Sequence, residues 1–168
     1  MAAPKRRQML GETRLVTEYI LERYPGRRWV LNMRLGTAPQ VRSGLELSES
    51  EQRMLSVWQR YADAVVLPPP DLVVIEAKIW DSIEAVGPLQ QYLAMVPHTA
   101  ELREWLSYPI RGEIVTAQYD PVAEAVARRN GLGYVVFAPA WLEEFFALYP
   151  HRRRRAPSAG LLQLPPGG

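Results

Sequence analysis

"DLVVIEAKIW", residues 71–80, decides how the rest of the chain is read. Leu72, Val73, Val74, Ile75, Ala77 and Ile79 make a short, nearly continuous apolar run, the pattern of a strand buried on both faces. Inside that run sit an acid and a base, Glu76 and Lys78, one residue apart. Strand side chains two apart share a face, so Glu76 and Lys78 lie on the face of Leu72 and Val74. A solvated edge strand would accept such a pair, but the apolar residues on the same face argue against one.

The preceding segment supplies the partner strand. "YADAVVL", residues 61–67, has β character, and the three prolines after it cannot belong to a central strand. With residues 68–71 as a four-residue loop, Leu67 pairs with Leu72, Val65 with Val74 and Asp63 with Glu76. Opposed residues on an antiparallel pair stand about 4.5–5.5 Å apart at Cβ. Two carboxylates facing each other in an apolar hairpin repel, so the pair requires a raised pKa, a basic neighbour or a cation. Asp71 lies nearer Glu76 in sequence, but five residues of extended strand put it about 17 Å away, too far to share an ion.

A third acid follows from helical phase. In "GETRLVTEYILERYPG", residues 11–26, Leu15, Val16, Tyr19 and Ile20 fall on one side at about 100° per residue. Glu12 lies in the middle of that stripe, whereas Glu18 and Glu22 lie towards or beyond its edge. Asp63, Glu76 and Glu12 therefore form an all-oxygen set beside Lys78, the kind of site that hard cations such as Mg²⁺ or Mn²⁺ prefer. Such a cation would bind phosphate oxygen and polarise a water that Lys78 steers or activates.

Composition narrows the alternatives. The 168-residue chain has no Cys, which excludes thiolate chemistry and disulfides, and only two His, His98 and His151, which excludes a multi-His centre. No apolar run approaches the roughly 18 residues of a membrane span, and "MAAPKRRQMLGE" lacks a signal-peptide core. The expectation is a cytoplasmic protein without membrane contact. The formal charge of +2 hides an uneven distribution. Lys5, Arg6, Arg7 and Arg152, Arg153, Arg154 and Arg155 are basic tails, and all 18 acidic residues lie between them. Basic ends of this kind suit a polyanion. The chain uses Arg almost throughout, and Lys78 is the only Lys outside the N-terminal tail. Lys is a compact point charge able to sit beside carboxylates and a reacting water.

The remaining segments place these residues in a domain. "RRWVLNMRLG" predicts a strand, "TAPQVRSG" a loop, and "LSESEQRMLSVWQRY" a helix opened by the capping pattern Ser48–Glu51. "DSIEAVGPLQQYLAMV" predicts a helix capped by Asp81 or Ser82, with Pro88 imposing a kink or a late start. "TAELREWLS" is a short helix and "IRGEIVTAQY" a strand. "DPVAEAVARRNGLG" is a helix with Asp120 as cap and a Gly stop, "YVVFAP" a strand and "AWLEEFFALYP" a last helix. Trp80, Trp105, Trp141, Phe145 and Phe146 fall at core-like positions. The expected fold is α/β, a mixed central β-sheet with helices on both faces. Residues 1–10 form a basic lead-in, 11–149 a single domain, and 150–168 an Arg/Pro/Gly-rich tail that is mobile unless a partner orders it.

Glu12, Asp63 in "RYADAVV" and Glu76-Ala77-Lys78, followed by the helix containing "VGPLQQYL", resemble the PD-(D/E)XK nuclease superfamily, in its resolvase, exonuclease and phage-type branch. The resemblance covers roughly residues 11–149. It implies a restriction-endonuclease-like core, α-β-β-β-α-β-α-β, and Mg²⁺- or Mn²⁺-dependent hydrolysis of DNA phosphodiesters. By resemblance, Asp63, Glu76 and the carbonyl of Ala77 hold the metal, Glu12 completes the shell, and Lys78 serves the water. Arg60 is a candidate phosphate contact, with Arg152 to Arg155 as further DNA contacts. The resolvase-like branch often carries a Gln in the helix after the motif; here Pro88 stands at that place, and Gln90 or Gln91 are the available substitutes. The alternative is a nuclease-fold protein with a weak or inactive site and a structural or DNA-binding role, for example a phage virion, neck or DNA-packaging component. A defence or anti-restriction binding module is a third reading. Expected partners are DNA, a second copy of the chain, or phage structural proteins in a virion-associated setting.

Overall fold

A computed structural model describes residues 4–36 and 60–150, with side chains from residue 10 onwards. The expected loop over 37–44, the Ser48–Glu51 cap and the tail with Arg152 to Arg155 lie outside these residues. The chain divides into two compact units, residues 1–138 and 139–168.

In the first unit, helix α1 (Pro4–Arg23) is followed by β1 (Trp29–Leu35), β2 (Arg60–Val66) and β3 (Leu72–Lys78). Helix α2 (Val86–Met95), β4 (Ile110–Thr116), α3 (Pro121–Arg129) and β5 (Gly133–Val136) complete it. The five strands form one mixed sheet in sequence order. β1, β2 and β3 pair antiparallel; β3, β4 and β5 pair parallel. The expected α/β order is the order observed.

Register assigns the faces. β3 and β4 align Val74 with Gly112, Ile75 with Glu113 and Glu76 with Ile114. Helix α1 covers the face of Ile75 and Glu113, because Tyr19 and Tyr24 both donate hydrogen bonds to the Glu113 carboxylate. Helix α2 covers the other face: a Cβ at Gly112 would meet Leu93 at 2.9 Å and Leu89 at 3.1 Å. Only a residue without a side chain lets that helix sit so close. Helices therefore flank the sheet on both sides, with Val65, Leu72, Val74 and Ile114 packed against Leu89, Tyr92 and Val96 in one core. On the α1 face, Leu15, Val16, Tyr19 and Ile20 are buried, as their helical phase predicts.

Three local expectations change, and of the kink or late start expected at Pro88 the late start is observed. Helix α1 begins at Pro4 rather than Gly11, so residues 4–10 of the basic lead-in are helical; proline suits a first turn because its missing N–H has no partner there in any case. β2 begins at Arg60, which takes Arg60 and Tyr61 out of the expected preceding helix. Residues 82–85 form a 3-10 turn, and the α-helix starts late, at Val86. Pro88 thus falls in the first turn of α2, where it removes no hydrogen bond and no kink is needed. Asp81 precedes the turn with φ 44° and gives no side-chain cap. The α3 prediction holds, with Asp120 Oδ1 accepting from the N–H groups of Val122 and Ala123 and Gly131 at φ 70° beyond the end. Such a cap is worth about 1 kcal/mol. In the second unit, helix α4 (Trp141–Ala147) buries Leu142 and Phe146, with Trp141 edge-on to Phe145.

Candidate functional site

The β2–β3 hairpin has the expected register, Val65 opposite Val74, but the ladder ends at Ala64–Ile75. Asp63 and Glu76 do not form the next backbone pair. The pairing with β1 also skips this level: Leu31 aligns with Ala64 and Met33 with Ala62, and Asn32 between them has φ 47°. At Asp63, β2 leaves both neighbours, and the side chain takes over: Asp63 Oδ2 accepts the Ala77 N–H at 2.8 Å. The backbone donor on β3 is satisfied by a carboxylate rather than a carbonyl. The correction concerns the ladder, because Asp63 and Glu76 still act on each other.

Glu76 is 5% exposed. Its Oε1 accepts from Lys78 Nζ at 2.8 Å. Its Oε2 is buried and has no hydrogen-bond partner among the described residues. Burial, with the charge of Asp63 and a smaller push from Glu12, drives the Glu76 carboxyl up to about 7, against the pull of Lys78. Asp63 is raised too, chiefly by burial, with the Ala77 N–H, Lys78 and Glu76 opposing the shift. Burial works against the Lys78 ammonium, but Glu76 by charge and hydrogen bond, with Glu12 and Asp63 behind it, holds its pKa above the ordinary lysine range. Lys78 is thus a fixed positive charge.

Glu12 is half-buried on α1, and its charge reaches both Glu76 and Lys78, as helical phase placed it. Among the described residues no three acidic or imidazole side chains close into a ready metal cage. The inner site is the pair Asp63 and Glu76, with Glu12 acting electrostatically.

The other candidates separate. Arg60 is exposed, and its charge is felt at Tyr92, which places it beside the same cluster. Gln90 is exposed and donates to Asn130 Oδ1 at 2.8 Å, a tether between α2 and the end of α3. Gln91 is exposed on α2. Asp71 is the decoy the spacing predicted: Arg27 holds it at 2.9 Å and Arg111 at 2.5 Å. Tyr92 was not singled out from sequence. Burial first, then the charges of Glu76 and Asp63, push its hydroxyl up to about 12, so it stays neutral within reach of their charge. Its signal was the buried period Leu89, Tyr92, Val96, which reads as ordinary core.

A cation fits the donors present. All are hard oxygens, and Glu76 Oε2 is a buried lone-pair site without a hydrogen-bond partner among the described residues. A buried carboxylate and a half-buried one, Glu76 and Asp63, gain most from a divalent charge.

No protein-family model matches the chain, and no curated protein matches it. Two solved structures do. A repair endonuclease from Pyrococcus abyssi is similar at 17% identity and a TM-score of 0.45, over 75% of this chain and 46% of that one. The EndoMS–dsDNA complex is similar at 18% identity and a TM-score of 0.45, over 77% of this chain and 45% of that one. The chain spans less than half the length of either. No helix among the described residues is long and apolar enough to cross a membrane.

Proposed function

We propose that this chain is a metal-dependent DNA nuclease of the PD-(D/E)XK type, hydrolysing phosphodiester bonds at Asp63, Glu76 and Lys78. The observation that carries the reading is Glu76: a buried carboxylate with one oxygen on Lys78 and the other without a hydrogen-bond partner among the described residues. A core acid kept for packing would have both oxygens satisfied.

Asp63, Glu76 and the Ala77 carbonyl would hold Mg²⁺ or Mn²⁺, with Glu12 adding negative charge. When bound, the ion supplies a Lewis acid for the phosphate oxygen. Lys78, protonated throughout the working pH range, orients water and phosphate by donating from Nζ rather than by taking a proton. The Ala77 N–H bond fixes the Asp63 carboxylate beside Glu76. Arg60, exposed near the cluster, is placed to meet a phosphate. DNA as the substrate rests on the motif resemblance, and the basic tails suit the same partner.

A second reading keeps the fold and drops the cutting: a structural or DNA-binding component, such as a virion or packaging protein. What favours it is α2, where Pro88 replaces the expected Gln and Gln90 spends its amide on Asn130. One assay separates the two. The full chain is incubated with linear, nicked and branched DNA, with and without Mg²⁺ or Mn²⁺, beside Asp63→Ala and Lys78→Ala. Cleavage that needs the metal and both side chains is expected; metal-independent DNA binding without any cutting would sink the nuclease reading.

A further inference from the structure

A second polar network in the first unit, centred on Glu113, lies away from the candidate site. Glu113, on β4, is 5% exposed, and both its oxygens are bonded. Tyr19 donates to Oε1; Tyr24 donates to Oε2 at 3.0 Å; Arg111 NH1 donates to Oε2 at 2.5 Å. Arg111 also donates from NH2 to the Tyr24 hydroxyl at 2.7 Å and from Nε to Asp71 Oδ2 at 2.5 Å. Arg27 closes the far side on Asp71 at 2.9 Å and lies over the Tyr24 ring, 5.2 Å from its centroid. Tyr19 meets Tyr24 and Phe137 edge-on, at 6.0 Å and 5.4 Å.

Tyr19 is on α1, as is Glu12, and Tyr24 directly follows the last residue of that helix, its N–H donating to the Ile20 carbonyl. Seven residues of helix put Tyr19 about 10 Å from Glu12 along the axis. The helix runs opposite to β3: Glu12 acts at Glu76 and Lys78, Tyr19 lies at the level of Glu113 and Ile75, and Tyr24 reaches Arg111 beside Asp71. The rest of the buried α1 face is Leu15, Val16 and Ile20. Apolar burial is non-directional and tolerates sliding, whereas hydrogen bonds to a buried carboxylate do not.

We propose that Tyr19, Tyr24 and Glu113 are positioning residues: they lock the register of α1 on the sheet and thereby set the distance from which the charge of Glu12 acts on the Asp63–Glu76–Lys78 cluster. This rests on the metal-site reading for its consequence but not for its geometry. Tyr19→Phe and Glu113→Gln remove hydrogen bonds while keeping shape. Because the chain has no Cys, nitroxides can be placed at Leu10→Cys and Val30→Cys, both exposed (61% and 41%). Pulsed electron paramagnetic resonance on the full chain then reads the helix-to-sheet distance, and calorimetry with Mn²⁺ alone reads the site.

Tyr19→Phe and Glu113→Gln are expected to shift or broaden the distance distribution. Arg14→Gln, which breaks the exposed Arg14–Glu18 pair on the same helix, leaves it unchanged. Mn²⁺ affinity is expected to fall roughly 10-fold in Tyr19→Phe, the loss typical when a group that orients a ligand is removed. In a Glu12→Gln background Tyr19→Phe should cost no further affinity, since its effect is exerted through Glu12. Unchanged distances in both variants overturn the proposal, and so does an affinity loss of the same size with and without Glu12. A wild-type chain that binds no Mn²⁺ overturns the metal-site reading instead, and the nitroxide distances alone then decide whether the network holds the helix.

Discussion

Glu76 and Glu113 sit on neighbouring strands at the same 5% exposure, and each has a base two residues away on its own strand: Lys78 for one, Arg111 for the other. What differs is how far each is satisfied. Glu113 has three donors on two oxygens and holds two elements together. Glu76 has one donor on one oxygen, beside a second acid. Equal burial with opposite saturation separates an acid that ties elements together from one that, among the described residues, leaves an oxygen unsatisfied. The cost of the open one is visible in its proton affinity, raised to about 7.

The contrast breaks most sharply at Glu113. Glu113→Ala leaves two tyrosine hydroxyls without their acceptor and takes one partner from the partly exposed Arg111 guanidinium, and is expected to cost about 3 kcal/mol in urea denaturation. A loss under 1 kcal/mol would mean the network is ornamental. At Glu76 the sign reverses. The folded carboxyl keeps its proton up to about 7, while the unfolded one releases it near its ordinary 4.5. The native state therefore binds more protons between those values, and stability falls as pH rises through them. Without divalent ions, Glu76→Gln should be more stable than wild type above pH 7, by up to about 3 kcal/mol, and indistinguishable below pH 4. Equal stability at pH 8 would show that Glu76 is not held under strain.

The same contrast predicts where activity is lost. Lys78→Ala should reduce single-turnover DNA cleavage at least about 100-fold, near 2.7 kcal/mol, with DNA binding retained. Wild-type cleavage in that variant would leave Lys78 as a mere counter-ion, the role Arg111 has. The smallest change is expected at the surface tether: Gln90→Ala breaks one exposed bond to Asn130 and should alter stability by about 0.5 kcal/mol or less. A large effect on cleavage there would return Gln90 to the site.

Much of the open acid was legible in the sequence, and almost none of the closed one. The Glu-x-Lys spacing, the Pro-rich loop and the hairpin register needed only strand alternation, and Val65 does face Val74. Helical phase alone aimed Glu12. The Arg111-Gly112-Glu113 run carries the same two-residue spacing, but its meaning depends on Tyr19, 94 residues away, and on a helix crossing the sheet there. No local pattern encodes such a contact. The side-chain bond from Asp63 to Ala77 was equally hidden, because an ideal ladder predicts a backbone pair at Asp63 where the pairing instead stops, opposite Asn32 at φ 47° on β1. Tyr92 was masked by being a good core residue as well as a neighbour of the acids.

The bond between Asp63 and the Ala77 amide also makes that amide an internal reporter. Most protons in the middle of a sheet exchange with solvent only when backbone pairing opens. The Ala77 proton is guarded instead by a carboxylate, so its exchange rate tracks what that carboxylate is doing. A ligand that recruits Asp63, or a proton that neutralises it, would register there before the neighbouring β3 amides respond. Occupancy of the site could then be followed at a single resonance, with no substrate and no turnover.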